Sequence, residues 1–124
     1  IIYIYIMNLI LFMLFTNLFR GHFVKTRDKF NLQELVQIHH IIPREWKNHK
    51  NIKNYNYNIN AGYNLIFMPN KYGITKLNTK RKIHDGGHPD YNLYVLSKLN
   101  QIEDPFQLSK ELRFNLTNNV DIPW

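Results

Sequence analysis

The stretch Ile38-His39-His40-Ile41-Ile42-Pro43 decides how this chain is read: two adjacent imidazoles lie in a short apolar run that a proline closes. In a β-strand, successive side chains point to opposite faces, so His39 and His40 cannot point the same way unless the strand ends or bulges there. One ring can then face a metal and the other a substrate. A second cluster, His84-Asp85-Gly86-Gly87-His88-Pro89, lies about 45 positions further on, and the two clusters hold four of the six histidines. The expectation is that they meet around one metal ion.

The chain has 124 residues, which suits one small domain with a modest core. Its net charge is +7, and the charge is unevenly placed. Positions 20–82 carry thirteen basic and three acidic residues, whereas positions 83–124 carry three basic and six acidic. A basic balance of this kind permits polyanionic partners such as nucleic acid or an anionic membrane. The chain has no cysteine, so disulfides and thiolate metal sites are excluded, and any metal must rest on His, Asp, Glu or Asn.

Working outward, positions 1–19 are uncharged and followed by Arg20, Lys25, Arg27 and Lys29, a pattern with the look of a membrane span and its basic flank. Three readings of that run stand side by side: an anchor, a remnant of a longer protein, or upstream sequence wrongly included. Gly21 to Asp28 reads as a polar connector, and Asn31 to Gln37 as a short helix or a direct lead into the strand. Pro43 ends that strand. Arg44 to Lys53 reads as an amphipathic helix with Trp46 turned inward, and the asparagine-rich stretch after it as irregular. Asn64-Leu65-Ile66-Phe67-Met68-Pro69 is a second apolar run closed by proline and is taken as the partner strand of 37–42. Asn70 to Lys82 reads as a basic loop.

Pro89 to Gln101 predicts a helix, with proline in its first turn, Asp90 beside it, and Tyr91, Val95, Leu99 and Ile102 at helical spacing. Asp104-Pro105 repeats the start signal for another helix, lined by Phe106, Leu108 and Leu112 and ending near Asn118-Asn119. His84 and His88 are four apart, but Gly86-Gly87 and Pro89 argue against one helix carrying both. His84 is expected on the preceding loop and His88 at the helix start, with the glycines folding the chain so that the rings converge.

Hydrolysis of a phosphodiester by a metal needs a cation against the phosphate oxygens and a base for the attacking water. Histidine serves either role near neutrality. Neutral imidazole suits zinc and other first-row transition ions better than magnesium or calcium. His22 and His49 read as structural or solvent-exposed.

The order His-His, then a run that begins with Asn and ends in Pro, then His-x-Gly-x-His-Pro-x-Tyr-Asn resembles the AHH branch of the HNH and endonuclease VII superfamily. Those proteins are nucleases with a ββα-metal fold. The matching pieces are His39 to Pro43, Asn64 to Pro69 and His84 to Asn92, and the likeness covers roughly Gln37 to Leu99. Ile38 stands where the branch has its alanine, a change expected to affect packing behind the site. The resemblance implies an α+β fold with a two-stranded hairpin packed on a helix, an inserted helix and an extra C-terminal helix. It divides the chain into the apolar segment 1–19, a connector 20–36 and a nuclease domain 37–124. It also implies metal ligation by His39, His84 and His88, with His40 as general base and Asn64 bracing the loop and orienting that base. Arg44, Lys80, Arg81, Lys82 and Asn92 are the expected substrate contacts. One divalent ion is implied, with zinc, magnesium, manganese or nickel as candidates. Nucleic acid is the implied substrate, DNA favoured over RNA. Such domains are common in bacterial toxins and secreted effectors, which adds an immunity protein and membrane contact through 1–19 as further partners.

Two rival readings remain at this point. Three or four histidines can close a non-catalytic zinc site, which would fill every coordination position where a catalytic site leaves one open. Alternatively the chain is a small membrane-anchored protein carrying a decayed nuclease domain.

Overall fold

The structure, a computed structural model, describes residues 20–124. The apolar run 1–19 lies outside the described residues, and among the described residues no helix is long and apolar enough to cross a membrane.

Two apolar runs that end in proline become the two strands. Strand β1, Val36–His40, pairs antiparallel with β2, Leu65–Pro69, with His39 opposite Ile66 and His40 opposite Leu65. Because side chains alternate along a strand, the hairpin has two different faces. Leu65 and Phe67 of β2 join Val36 of β1 in a small buried cluster, while Ile66 and Met68 join the main core. Helix α1, Arg20–Lys29, covers the first face through Phe23, which is 1% exposed and lies edge-on to Phe67 with ring centroids 5.2 Å apart.

The second face is covered by the two longest helices. These are α4, Pro89–Gln101, which buries Tyr91, Val95 and Leu99, and α5, Pro105–Asn118, which buries Leu108, Leu112 and Leu116. Full burial of each leucine is worth roughly 1.5–3 kcal/mol, so this interface dominates the core. The ends are set as their residues dictate. Asp104 accepts hydrogen bonds from the backbone N–H groups of Phe106 and Gln107, and Asn119 closes α5 in the left-handed conformation at φ 52°. The hairpin, α4, the helix α2 (Lys50–Asn54) inserted between the strands, and the C-terminal α5 together make the expected α+β arrangement.

Three local expectations are corrected. Positions 20–36, read as a connector, hold α1 and a turn in which Leu32 is buried, so packed structure begins before residue 37. The helix has no apolar stripe and is held by one phenylalanine, which is why periodicity did not reveal it. The expected helix 44–53 is broken into a 3-10 turn, Arg44–Trp46, and α2, because His49 turns out at ψ 141° and accepts the Asn51 N–H on its Nδ1. The loop 70–82 contains a short helix α3, Gly73–Lys76. There a Cβ on Gly73 would stand 2.0 Å from the Leu35 carbonyl oxygen, a contact only glycine permits.

The asparagine-rich segments supply turns. Asn31, Asn56, Asn78 and Asn119 all take positive φ, between 47° and 55°, where asparagine is among the residues best tolerated.

Candidate metal centre

Strand alternation separates the two adjacent histidines. His39 lies opposite Ile66, a main-core residue, and is 1% exposed, whereas His40 lies opposite Leu65 and is half-buried at the strand end. The His39 ring sits 5.1 Å from the ring of His84 and 4.8 Å from that of His88. His88 is the residue immediately before α4, and His84 lies on the loop that reaches it, tied to β2 by its own N–H on the Pro69 carbonyl at 2.7 Å. Between them Gly86 takes φ 113°, a backbone region that disfavours a side chain, and the chain folds back so that the two rings meet.

Each ring is oriented from behind. Gln37 Oε1 accepts from His84 Nδ1 at 2.5 Å, and Asn92 Oδ1 accepts from His88 Nδ1 at 2.8 Å. With Nδ1 protonated in both neutral rings, each Nε2 presents a lone pair, and those two atoms are 3.1 Å apart. Two imidazole nitrogens bound to a tetrahedral cation at about 2.0–2.1 Å would lie roughly 3.3–3.4 Å apart, so the spacing already fits a shared ion. The ligand atoms of His39, His84 and His88 all lie within 4.8 Å of one another. His39 Nε2 is buried with no hydrogen-bond partner, a costly state for a polar atom that a cation would relieve. These three histidines can therefore hold a metal ion, and a tetrahedral ion would keep its fourth position open.

Burial, reinforced by the neighbouring imidazoles of His88, His84 and His40, holds the His39 pKa well below its ordinary value near 6.5. His84 is lowered as well, first by burial and then by His88. Both rings thus stay neutral, the form that binds metal, at pH values where an exposed histidine protonates. For the metal-free protein this has a definite sign. Below about pH 6.5 the unfolded chain takes up a proton at His39 that the folded chain refuses, so stability falls as pH drops, with a slope approaching about 1.4 kcal/mol per pH unit for this group. Above that range His39 is neutral in both states and contributes no slope. Urea unfolding of the EDTA-treated protein at pH 5, 6 and 7.5 checks this, and a His39→Leu variant with an undiminished slope would refute it.

The model of a nuclease family of the HNH/endonuclease VII superfamily with conserved AHH matches residues 20–121. The chain belongs to the AHH nuclease family. No curated protein and no solved structure matched the chain. Nucleic acid is accordingly the substrate class of this AHH domain, and nucleases of the superfamily use divalent metals. Ile38, at the alanine position, packs against the small cluster under α1, away from the main core.

The remaining expected site residues are placed differently from one another. Asn64 is completely buried, and its Oδ1 accepts from the Ile42 N–H at 2.8 Å and the Tyr57 hydroxyl at 2.7 Å. Its Nδ2 donates to the carbonyls of Ile42 at 3.0 Å and Ile59 at 2.8 Å. Four bonds saturate a primary amide, so Asn64 braces the loop but has no capacity left to orient His40. The His40 ring is met instead by Asn60, whose Oδ1 lies 3.1 Å from Nε2. Asn92, expected on the substrate, is committed to His88. Arg81, expected there too, is 6% exposed and donates to the Phe67 carbonyl at 2.7 Å, and burial pushes its pKa down to about 10. Arg44 and Lys80 are exposed, and Lys82 is half-buried two residues before His84.

Gln37, Asn60 and Trp124 are the site neighbours that sequence reading missed. Gln37 had one usable signal, its position two residues before His39 on the same strand face. His49 is structural, with Nε2 on Asn100 Oδ1 at 2.8 Å.

Proposed function

We propose that this AHH domain is a metal-dependent endonuclease in which His39, His84 and His88 hold one divalent ion and His40 is the general base. The observation that carries the reading is the buried, unpartnered His39 Nε2 facing two rings already oriented through their Nδ1 atoms. The ion, when bound, would supply positive charge against the scissile phosphate and its leaving oxygen. The chain's own residues do the rest. Asn60 Oδ1, 3.1 Å from His40 Nε2, steadies the ring that is proposed to take the proton from water. Asn64 holds the turn after β1 at both its N–H and its C=O, so His40 leaves the strand in one direction. Exposed Arg44 and Lys80, with Lys82, are the cations proposed to meet backbone phosphates.

Zinc or nickel suits three imidazoles better than magnesium or manganese. The rival reading, a structural zinc site, is disfavoured because three histidines leave one tetrahedral position unfilled.

Purified protein with a divalent metal is expected to nick supercoiled plasmid DNA, and EDTA to abolish the nicking. Cleavage that persists in EDTA would remove the metal from the mechanism. RNA in a parallel reaction decides the substrate. A toxin or effector role, with an immunity protein and contact of 1–19 with membrane, is proposed on the family resemblance. Expression in a bacterial host should then kill with the wild-type chain and spare cells with His40→Ala, and equal survival would dismiss that role.

A further inference from the structure

We infer that Trp124 is a positioning residue for the histidine cluster, an aromatic wall that holds the three rings in the arrangement that accepts a cation. This rests on the metal reading above and goes beyond the matched family stretch, which ends at residue 121.

The indole lies against the cluster. Its ring centroid is 4.9 Å from His88, 5.3 Å from His39 and 5.8 Å from His84, and it also touches Tyr91 at 5.5 Å. The planes of Trp124 and His88 are 39° apart and those of Trp124 and His39 43°, tilted contacts that differ from the near-perpendicular ones among the histidines themselves.

The tail is built to put it there. After α5, Asn119 and Asp121 both take positive φ, at 52° and 49°, and reverse the chain. Ile122 is buried in the main core and anchors the turn. Trp124 Nε1 then donates to the carbonyl of Ile83 at 2.8 Å, which ties the tail to the residue next to His84.

The three rings differ in their need for such a wall. His84 and His88 are oriented by Gln37 and Asn92 through hydrogen bonds, whereas His39 Nε2 has no such bond. Its aim depends on the rings packed about it, and Trp124 and Tyr91 are the two that are not themselves ligand candidates. An apolar indole over the cluster also keeps water from that side and strengthens each interaction between nitrogen and cation.

The test is calorimetric titration of the metal-free full chain with Zn²⁺, with Co²⁺ absorption spectra as a readout of coordination geometry. Trp124→Ala is expected to lower Zn²⁺ affinity roughly 10–100-fold, as loss of groups supporting metal ligands does elsewhere, and to alter the Co²⁺ spectrum. Trp124→Phe, which keeps a ring face but loses the N–H, should restore affinity to within a few-fold. Trp124→Leu keeps apolar bulk for the fold and should bind as poorly as the alanine variant. Wild-type affinity in a folded alanine or leucine variant overturns the proposal. So does a phenylalanine variant as weak as alanine, since the ring face would then not be what positions the histidines. Failure of the wild-type chain itself to bind Zn²⁺ or Co²⁺ would instead sink the metal reading, and this inference with it.

Discussion

Replacing His40 with alanine is expected to slow phosphodiester cleavage about 10²–10⁴-fold, the usual contribution of a positioned acid or base. Zinc affinity should stay within a few-fold of wild type, because His40 is not among the three converging rings. Stability should fall by only about 1 kcal/mol, since the ring is half-buried at a strand end, so the variant stays folded. His39→Ala should lose metal and activity together. The contrast between neighbouring residues is the informative result, because sequence adjacency alone would give both substitutions the same phenotype. A His40→Ala protein that no longer binds metal would place that ring in the coordination shell and leave the base unassigned.

Asn64→Leu is expected to cost about 3–5 kcal/mol, a large share of the roughly 5–15 kcal/mol that typically separates folded from unfolded domains. Leucine is close to asparagine in shape, so the loss is not a cavity effect. It strands the Ile42 N–H and the carbonyls of Ile42 and Ile59 in a dry interior, at roughly 1–3 kcal/mol for each unsatisfied group. Asn60→Ala, at an exposed position, should leave stability nearly intact and act on cleavage through His40. Urea unfolding and plasmid nicking on the two variants divide the roles cleanly. If Asn64→Leu were stable but inactive, the buried amide would be acting on the base after all.

The parts of this fold that were legible in the sequence are those that local chemistry dictates. Proline and aspartate at the starts of α4 and α5 and leucines at helical spacing mark those helices to within a residue of their ends. Proline at the close of two apolar runs marks the hairpin, and four histidines with two glycines mark where the site would be. What stayed hidden depends on contacts between distant positions. Gln37 reaches His84 across 47 residues, and its place on the His39 face of the strand puts it near the site without showing which ring it meets. Asn60 was one asparagine among many, and only the bend of the insert brings it rather than Asn64 to His40. Arg81 sits in a polar stretch that reads as solvated, yet its guanidinium closes the Phe67 carbonyl in the interior. Charge in a sequence does not reveal which cation the packing withdraws from water.

The dipeptide His39-His40 is symmetric as text and asymmetric as matter, because the pleat of β1 gives one ring a dry lattice of aromatic neighbours and the other an edge. Slipping β1 by one place along β2 would not blur this distinction but rewrite it. In one direction His40 would inherit the inner berth and Ile41 the outer, giving a cation trap without a base. In the other, Ile38 would turn inward and His39 outward, giving a base with a depleted trap. In the proposed mechanism two like letters encode two chemistries only while the strand keeps its registration, so the pairing of Val36 with Pro69 would matter to catalysis as much as any imidazole.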